Sequence, residues 1–190
     1  MVDAAQGSSP YDKAILNSCV GVFLFGVPNR GLNNENLLSL MKEKKSAPFV
    51  ANLMQGSELL EVLHIAFLRS YENDMKSCFV ASFYEMKDTK TIRQYCPWMS
   101  IIVLLTHMTG NEGGVWRRTG RPVRMVTKES ATWFMPKEEV HNQIPINADH
   151  SQLVKFASRA DHNYRAVSLK LRELVNSAPE IIRLRSENCM

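Results

Sequence analysis

The chain has 190 residues, 45% of them apolar and 22% charged, the composition of a globular domain with a core of ordinary size. Its net charge of +4, from 23 basic and 19 acidic residues, is too mild and too dispersed for a nucleic-acid surface; the densest basic stretches, Lys42-Glu43-Lys44-Lys45 and Arg117-Arg118, read as solvated faces. The opening segment MVDAAQGSSPYDK has an acid at position 3 and no apolar centre, unlike a signal peptide, and the longest uninterrupted apolar run, Ile101–Leu105, is far shorter than a membrane span. A soluble, intracellular and cytoplasmic protein is expected.

Taken in chain order, Cys19–Gly26 (CVGVFLFG) is almost wholly apolar and is followed by the turn residues Val27-Pro28-Asn29-Arg30-Gly31. Such a run predicts a strand buried on both faces, as in a parallel sheet. Asn33 and Asn34 are caps for a helix with apolar positions Leu37, Leu38 and Met41. Ser57 opens a longer helix expected to bury Leu59, Leu63, Ala66 and Phe67. Cys78–Glu85 (CFVASFYE) predicts a second strand, and the alternation of Val123–Thr127 a third. Asp161 caps a last helix with Tyr164, Val167, Leu171 and Leu174 on one stripe, and Pro179 marks its end or a kink. Residues 178–190 read as a flexible tail. Strands alternating with helices predict one α/β domain over residues 1–190 with a mainly parallel sheet.

Arg93–Gly114 breaks this rhythm. It has neither helical period nor clean alternation, and reads either as an extra strand at Ile101–Leu105 under a long loop or as sequence never selected to fold. The four cysteines, Cys19, Cys78, Cys96 and Cys189, show neither C-x-x-C spacing nor zinc-site histidines, so reduced thiols are expected, with no metal and no cofactor.

Reactive groups of open α/β sheets collect at the carboxyl ends of strands. Here those ends carry Pro28–Gly31, then Glu85, and then, through a loop after the third strand, His150. A carboxylate after one strand and a histidine after a later one is the order found in α/β-hydrolases. The carboxylate holds the imidazole in one tautomer, and the imidazole takes the proton from a serine hydroxyl that is inert by itself. Asp88 and Glu129 compete with Glu85 for the role of acid. His64, His107, His141 and His162 read as structural or solvent-facing.

Four separated segments carry a family resemblance. GVFLFGVPNRG, SFYE, KESATWFMPKEE and IPINADHSQLVKF resemble, in order, segments of lipase-like α/β-hydrolases related to serine active site-containing protein 1. They are closest in character to fungal N-terminal hydrolase domains fused to NACHT or ankyrin-repeat arrays. The resemblance spans Ser18–Lys170, with Arg93–Gly114 as a non-family insertion. It implies a partial α/β-hydrolase fold comprising the last strands and helices of the sheet. It further implies that His150 is the catalytic histidine and Glu85 the acid. Val27, Asn29 and Met86 depart from the family's usual Thr, His and Thr.

The G-x-S-x-G elbow that presents a serine nucleophile does not occur in the sequence. The resemblance places that elbow, and the oxyanion-forming loop, upstream of AAQGSSPYDKAILNSC. The expected function is therefore the C-terminal portion of a serine ester or lipid hydrolase, truncated at the N-terminus and inactive alone. The alternatives are a non-catalytic interaction or signalling module of a NACHT or ankyrin-type protein, and a truncated product without a function of its own. The relatives also imply a mitochondrial, endoplasmic reticulum or membrane-associated location. The apolar strand Cys19–Gly26 is expected to mediate self-association if one edge is uncovered.

Overall fold

The computed structural model describes residues 9–33, 47–75, 78–91, 93–95, 115–132 and 140–187. The chain is a mixed α/β protein built on a three-stranded parallel sheet. The strands are β1 (Gly21–Phe25), β2 (Phe79–Glu85) and β7 (Gln143–Ile146), in the spatial order β1-β2-β7. Short antiparallel pairs lie outside this sheet: β3 (Thr89–Lys90) with β6 (Pro122–Val123), and β4 (Arg93–Tyr95) with β5 (Val115–Arg117). The helices are α1 (Pro10–Ser18), α2 (Ala47–Asn52), α3 (Glu58–Asp74), α4 (Lys128–Ala131) and α5 (His162–Glu187).

The period-two geometry of a strand explains the two main packing clusters. Phe23 and Phe25 of β1 share a face with Phe79, Ala81 and Phe83 of β2, and this face packs with Ile146, Ala148, Leu153 and Val167. Val22 points the other way, into a cluster of Leu16, Phe67, Met75 and Cys78 supplied by α1, α3 and the start of β2. Helix-borne residues thus reach both faces, the arrangement that parallel strands require.

Burial on both faces, expected for Cys19–Gly26, falls instead to β2, which is central. Every residue of β1 is only half-buried. Among the described residues β1 has a hydrogen-bonded neighbour on one side only. The third strand differs from the expected one. Val123–Thr127 contributes a two-residue pair to β3, and the third strand of the main sheet is Gln143–Ile146. Pro145 lacks an N–H and is tolerated because β7 lies at an edge of the described sheet. His150 therefore follows β7 directly, not a long loop after Val123–Thr127.

Of the three predicted helix starts, two lie within the described residues, and both of their caps form. The Ser57 hydroxyl accepts from Leu60 N–H at 3.5 Å, and Asp161 Oδ1 accepts from Asn163 N–H at 2.8 Å. Bonds to Asn163 and Ala157 N–H hold the exposed Asp161 carboxyl below its usual range. The buried face of α3 is rotated from the expected one, while the expected stripe of α5 turns inward at Tyr164, Val167 and Leu174. In α3, Leu59 and Leu63 are 45% and 47% exposed, whereas Leu60, His64, Phe67 and Tyr71 turn inward. In α5, Leu171 is exposed, and the position before it, Lys170, is buried. Its ammonium donates to Asn142 Oδ1 at 3.2 Å and Glu173 Oε2 at 2.8 Å. The stem packs while the charge keeps partners.

Helix α5 continues through Pro179 to Glu187, so the expected tail at 178–190 is helical as far as it is described. Near its end Arg185 donates to the carbonyls of Leu16, Asn17 and Cys19, tying it to the end of α1. In the expected insertion, Arg93–Tyr95 pairs with Val115–Arg117. The Ile101–Leu105 run and the helix expected after Asn34 lie outside the described residues.

Candidate functional site

The carboxyl ends of the three strands meet at one place. Parallel pairing sets Glu85, the last residue of β2, beside Ile146, the last of β7. The chain then turns: Ala148 N–H donates to Ile146 O, and Met86 and Lys87 N–H both donate to Ala148 O. Asp149 caps the short 3-10 turn His150–Gln152. The backbone N–H of His150 donates to the buried Thr89 hydroxyl at 3.0 Å. These bonds aim the imidazole back over the end of β2.

His150 Nδ1 lies 3.4 Å from Glu85 Oε2, an ion-pair separation that is long for a hydrogen bond. Both atoms are buried, and neither has a hydrogen-bond partner among the described residues. The two face each other across that gap. The Glu85 side chain is 0% exposed while that of His150 is 33% exposed. With Nδ1 buried, the accessible part of the ring is its other edge, which carries Nε2.

Glu85 is held on two sides. Its Oε1 accepts from Val126 N–H at 2.9 Å. Arg124 grips the turn after β2, donating to the Glu85 carbonyl, to Met86 O at 3.0 Å and to Asp88 Oδ1 at 3.0 Å. The third strand end supplies Gly26, with φ +56°. A Cβ there would meet His150 Nδ1 at 3.1 Å and a Leu153 methyl at 2.5 Å. Glycine is required both by the left-handed backbone and by the close approach of the ring.

The competing acids sit elsewhere. Asp88 pairs with Arg124. Glu129 is exposed in the first turn of α4, its carboxyl held below the usual range by its own backbone N–H and the Thr127 hydroxyl. Of the other histidines, His64 is half-buried in α3 with its pKa lowered by burial, and His141 and His162 are exposed. His107 lies outside the described residues.

Thr89, Arg124, Val126 and Gly26 were not singled out by sequence reasoning. Only Gly26 left a trace, as the glycine ending an apolar run. Ser151 and Ser130 are both engaged: Ser151 Oγ donates to Asp149 at 2.8 Å and accepts from Arg118 at 2.6 Å. Ser130 Oγ donates to Gly31 O and accepts from Arg30 N–H, both at 3.0 Å. No hydrogen bond joins either hydroxyl to the imidazole among the described residues.

Among the described residues no group of three or more His, Cys, Asp or Glu side chains is placed to hold a metal ion, and no helix is long and apolar enough to cross a membrane. Comparison with known proteins finds no matching family model, curated protein or solved structure.

Proposed function

We propose that this chain carries the acid–base half of a serine-dependent ester hydrolase site of the α/β-hydrolase type, with His150 as general base and Glu85 as its orienting acid. The observation that supports this most is the pairing of a buried carboxylate with the buried Nδ1 of a histidine whose other edge is accessible, at the carboxyl ends of adjacent parallel strands. A carboxylate facing Nδ1 favours the tautomer with its proton there. Nε2 is then free to accept a proton from a nucleophile, and the carboxylate stabilises the cation that forms. The hydroxyl to be activated belongs to a G-x-S-x-G elbow outside this sequence, and the substrate class is a carboxylic or lipid ester.

The first test is a comparison of the chain alone with the chain complemented, by fusion or mixing, with an elbow-bearing hydrolase segment. Alone, it is expected not to hydrolyse short p-nitrophenyl esters above background, and His150→Ala should change nothing. Complementation should produce turnover. Turnover by the chain alone that vanishes in His150→Ala would overturn the division into halves and point to a nucleophile within this sequence, with Ser151 and Ser130 the first to replace.

The same reading makes β1 an interior strand of the complete sheet, so the edge that has no neighbour among the described residues should drive self-association of the isolated chain. The strand contains neither proline nor charge, two of the features that discourage edge pairing. Val22 also packs into the cluster of Leu16 and Phe67, so a lysine there would confound stability with association. Leu24→Lys is the cleaner variant and should shift size-exclusion profiles toward monomer. A wild-type chain that is already monomeric, with slow amide exchange along Gly21–Phe25, would mean that another segment covers the edge.

A further inference from the structure

Cys19 follows α1, Cys78 precedes β2, and the pairing of Gly21 with Phe79 brings these two segments together. Their Sγ atoms are 3.8 Å apart. Both are free thiols, Cys78 buried and Cys19 half-buried. Leu16, Phe67 and Met75 pack around them. The Tyr71 hydroxyl donates to Cys78 O at 3.1 Å, and Arg185 donates to Cys19 O at 2.7 Å. The pair thus sits where α1, α3, α5 and the start of the sheet converge, away from His150 and Glu85.

We propose that Cys19 and Cys78 form a redox-active pair that closes to an intramolecular disulfide by exchange with a small disulfide of the oxidised-glutathione type. This site is independent of the hydrolase reading. Cys19 is the more accessible sulfur and reacts first. After losing its proton it attacks one sulfur of glutathione disulfide; a Cys19–glutathione bond forms, the small disulfide breaks, and one glutathione thiolate leaves and takes up a proton. Cys78 then loses its proton and attacks Cys19 Sγ, forming the protein disulfide and releasing the second glutathione. Two protein thiols are oxidised and one small disulfide is reduced to two thiols.

Burial and the neighbouring Cys19 push the Cys78 thiol up to about 12, while the Arg185 guanidinium works in the opposite direction. Cys78 is therefore a resolving thiol, effective through proximity: from 3.8 Å, the sulfurs need only approach by roughly 2 Å to reach bonding distance. The closed bond would staple the junction of α1 and β1 to β2 across a separation of 59 residues. That constraint should raise the melting temperature by about 5–10 °C.

The test equilibrates the full chain, carrying Cys96→Ser and Cys189→Ser, in buffers of varied reduced and oxidised glutathione. Oxidising buffers are expected to give a mass loss of about 2 Da, a Cys19–Cys78 cross-linked peptide, a raised melting temperature, and reversal by dithiothreitol. A stable glutathione adduct on Cys19 without the cross-link would overturn the proposal. So would two thiols that stay open to alkylation at every ratio. Peptide mapping of the native four-cysteine chain gives the same reading without substitutions. There, linkage of Cys19 or Cys78 to Cys96 or Cys189 in place of the Cys19–Cys78 bond would also overturn it.

Discussion

In the complemented domain, His150→Ala is expected to lower kcat for ester hydrolysis by on the order of 10⁴-fold or more, and Glu85→Gln by a similar order. At about 1.4 kcal/mol per decade, that is roughly 5 kcal/mol of transition-state stabilisation. The alanine variant removes the proton acceptor. The glutamine variant works through the tautomer: an amide N–H facing Nδ1 makes that nitrogen the acceptor and leaves the proton on Nε2, where it blocks general-base action. Glu85→Gln retains an oxygen for Val126 N–H, so it should melt close to wild type. Glu85→Ala leaves that buried N–H without a partner and should cost a further ~1–3 kcal/mol of stability. Steady-state kinetics and thermal melts on the same preparations separate the two effects. An unchanged kcat in Glu85→Gln, together with a large loss in Asp88→Ala or Glu129→Ala, would reassign the acid.

The second large effect concerns the core beneath the site. Phe83→Ala should destabilise the chain by about 3–5 kcal/mol. Phe83 is 0% exposed and lies in the central strand. Its ring stacks on Phe25 at 4.4 Å and tilts against Phe23 at 5.4 Å, so its loss opens a cavity bounded by two strands. A loss of that size is a large share of the ~5–15 kcal/mol that holds a typical domain folded. Because Phe83 precedes Glu85 by two positions on β2, the carboxylate should lose its register against His150 as well. Phe49→Ala is the matched control. Phe49 is 66% exposed, and its replacement should stay within about 0.5 kcal/mol. Equal denaturation midpoints for the two variants would contradict a core centred on Phe83.

Local chemistry that acts over a few residues was legible in the sequence. The apolar runs of β1 and β2, the Ser57 and Asp161 caps and the turn after β1 all follow from side-chain type and spacing, because their interactions are confined to neighbours in the chain. The strand holding Gln143–Ile146 was not legible as a strand. Four residues that include a proline have too little period, and it is pairing with β2 that makes them one. The alternation of Val123–Thr127 gave a stronger local signal and a weaker strand, because its partner is the two-residue β3. The face of α3 went astray for a related reason. In α3 apolar residues occur around much of the circumference, so the period does not select a face; contact with the sheet does.

Composition and local pattern by themselves determined an α/β chain, two of its three sheet strands, its main caps, and the presence of a histidine and several acids near strand ends. The resemblance pointed to Glu85 as the acid, but the tertiary structure is what sets it, rather than Asp88 or Glu129, beside the histidine. Glu85, Asp88 and Glu129 are alike as carboxylates. Parallel pairing of β2 with β7 sets the end of one strand beside the end of the other, Val126 N–H turns the Glu85 carboxylate inward, and Arg124 engages Asp88. It also decided that β1 is half-exposed although its sequence is that of an interior strand. Burial depends on what lies on both sides of a strand, and residues far away in the chain determine that.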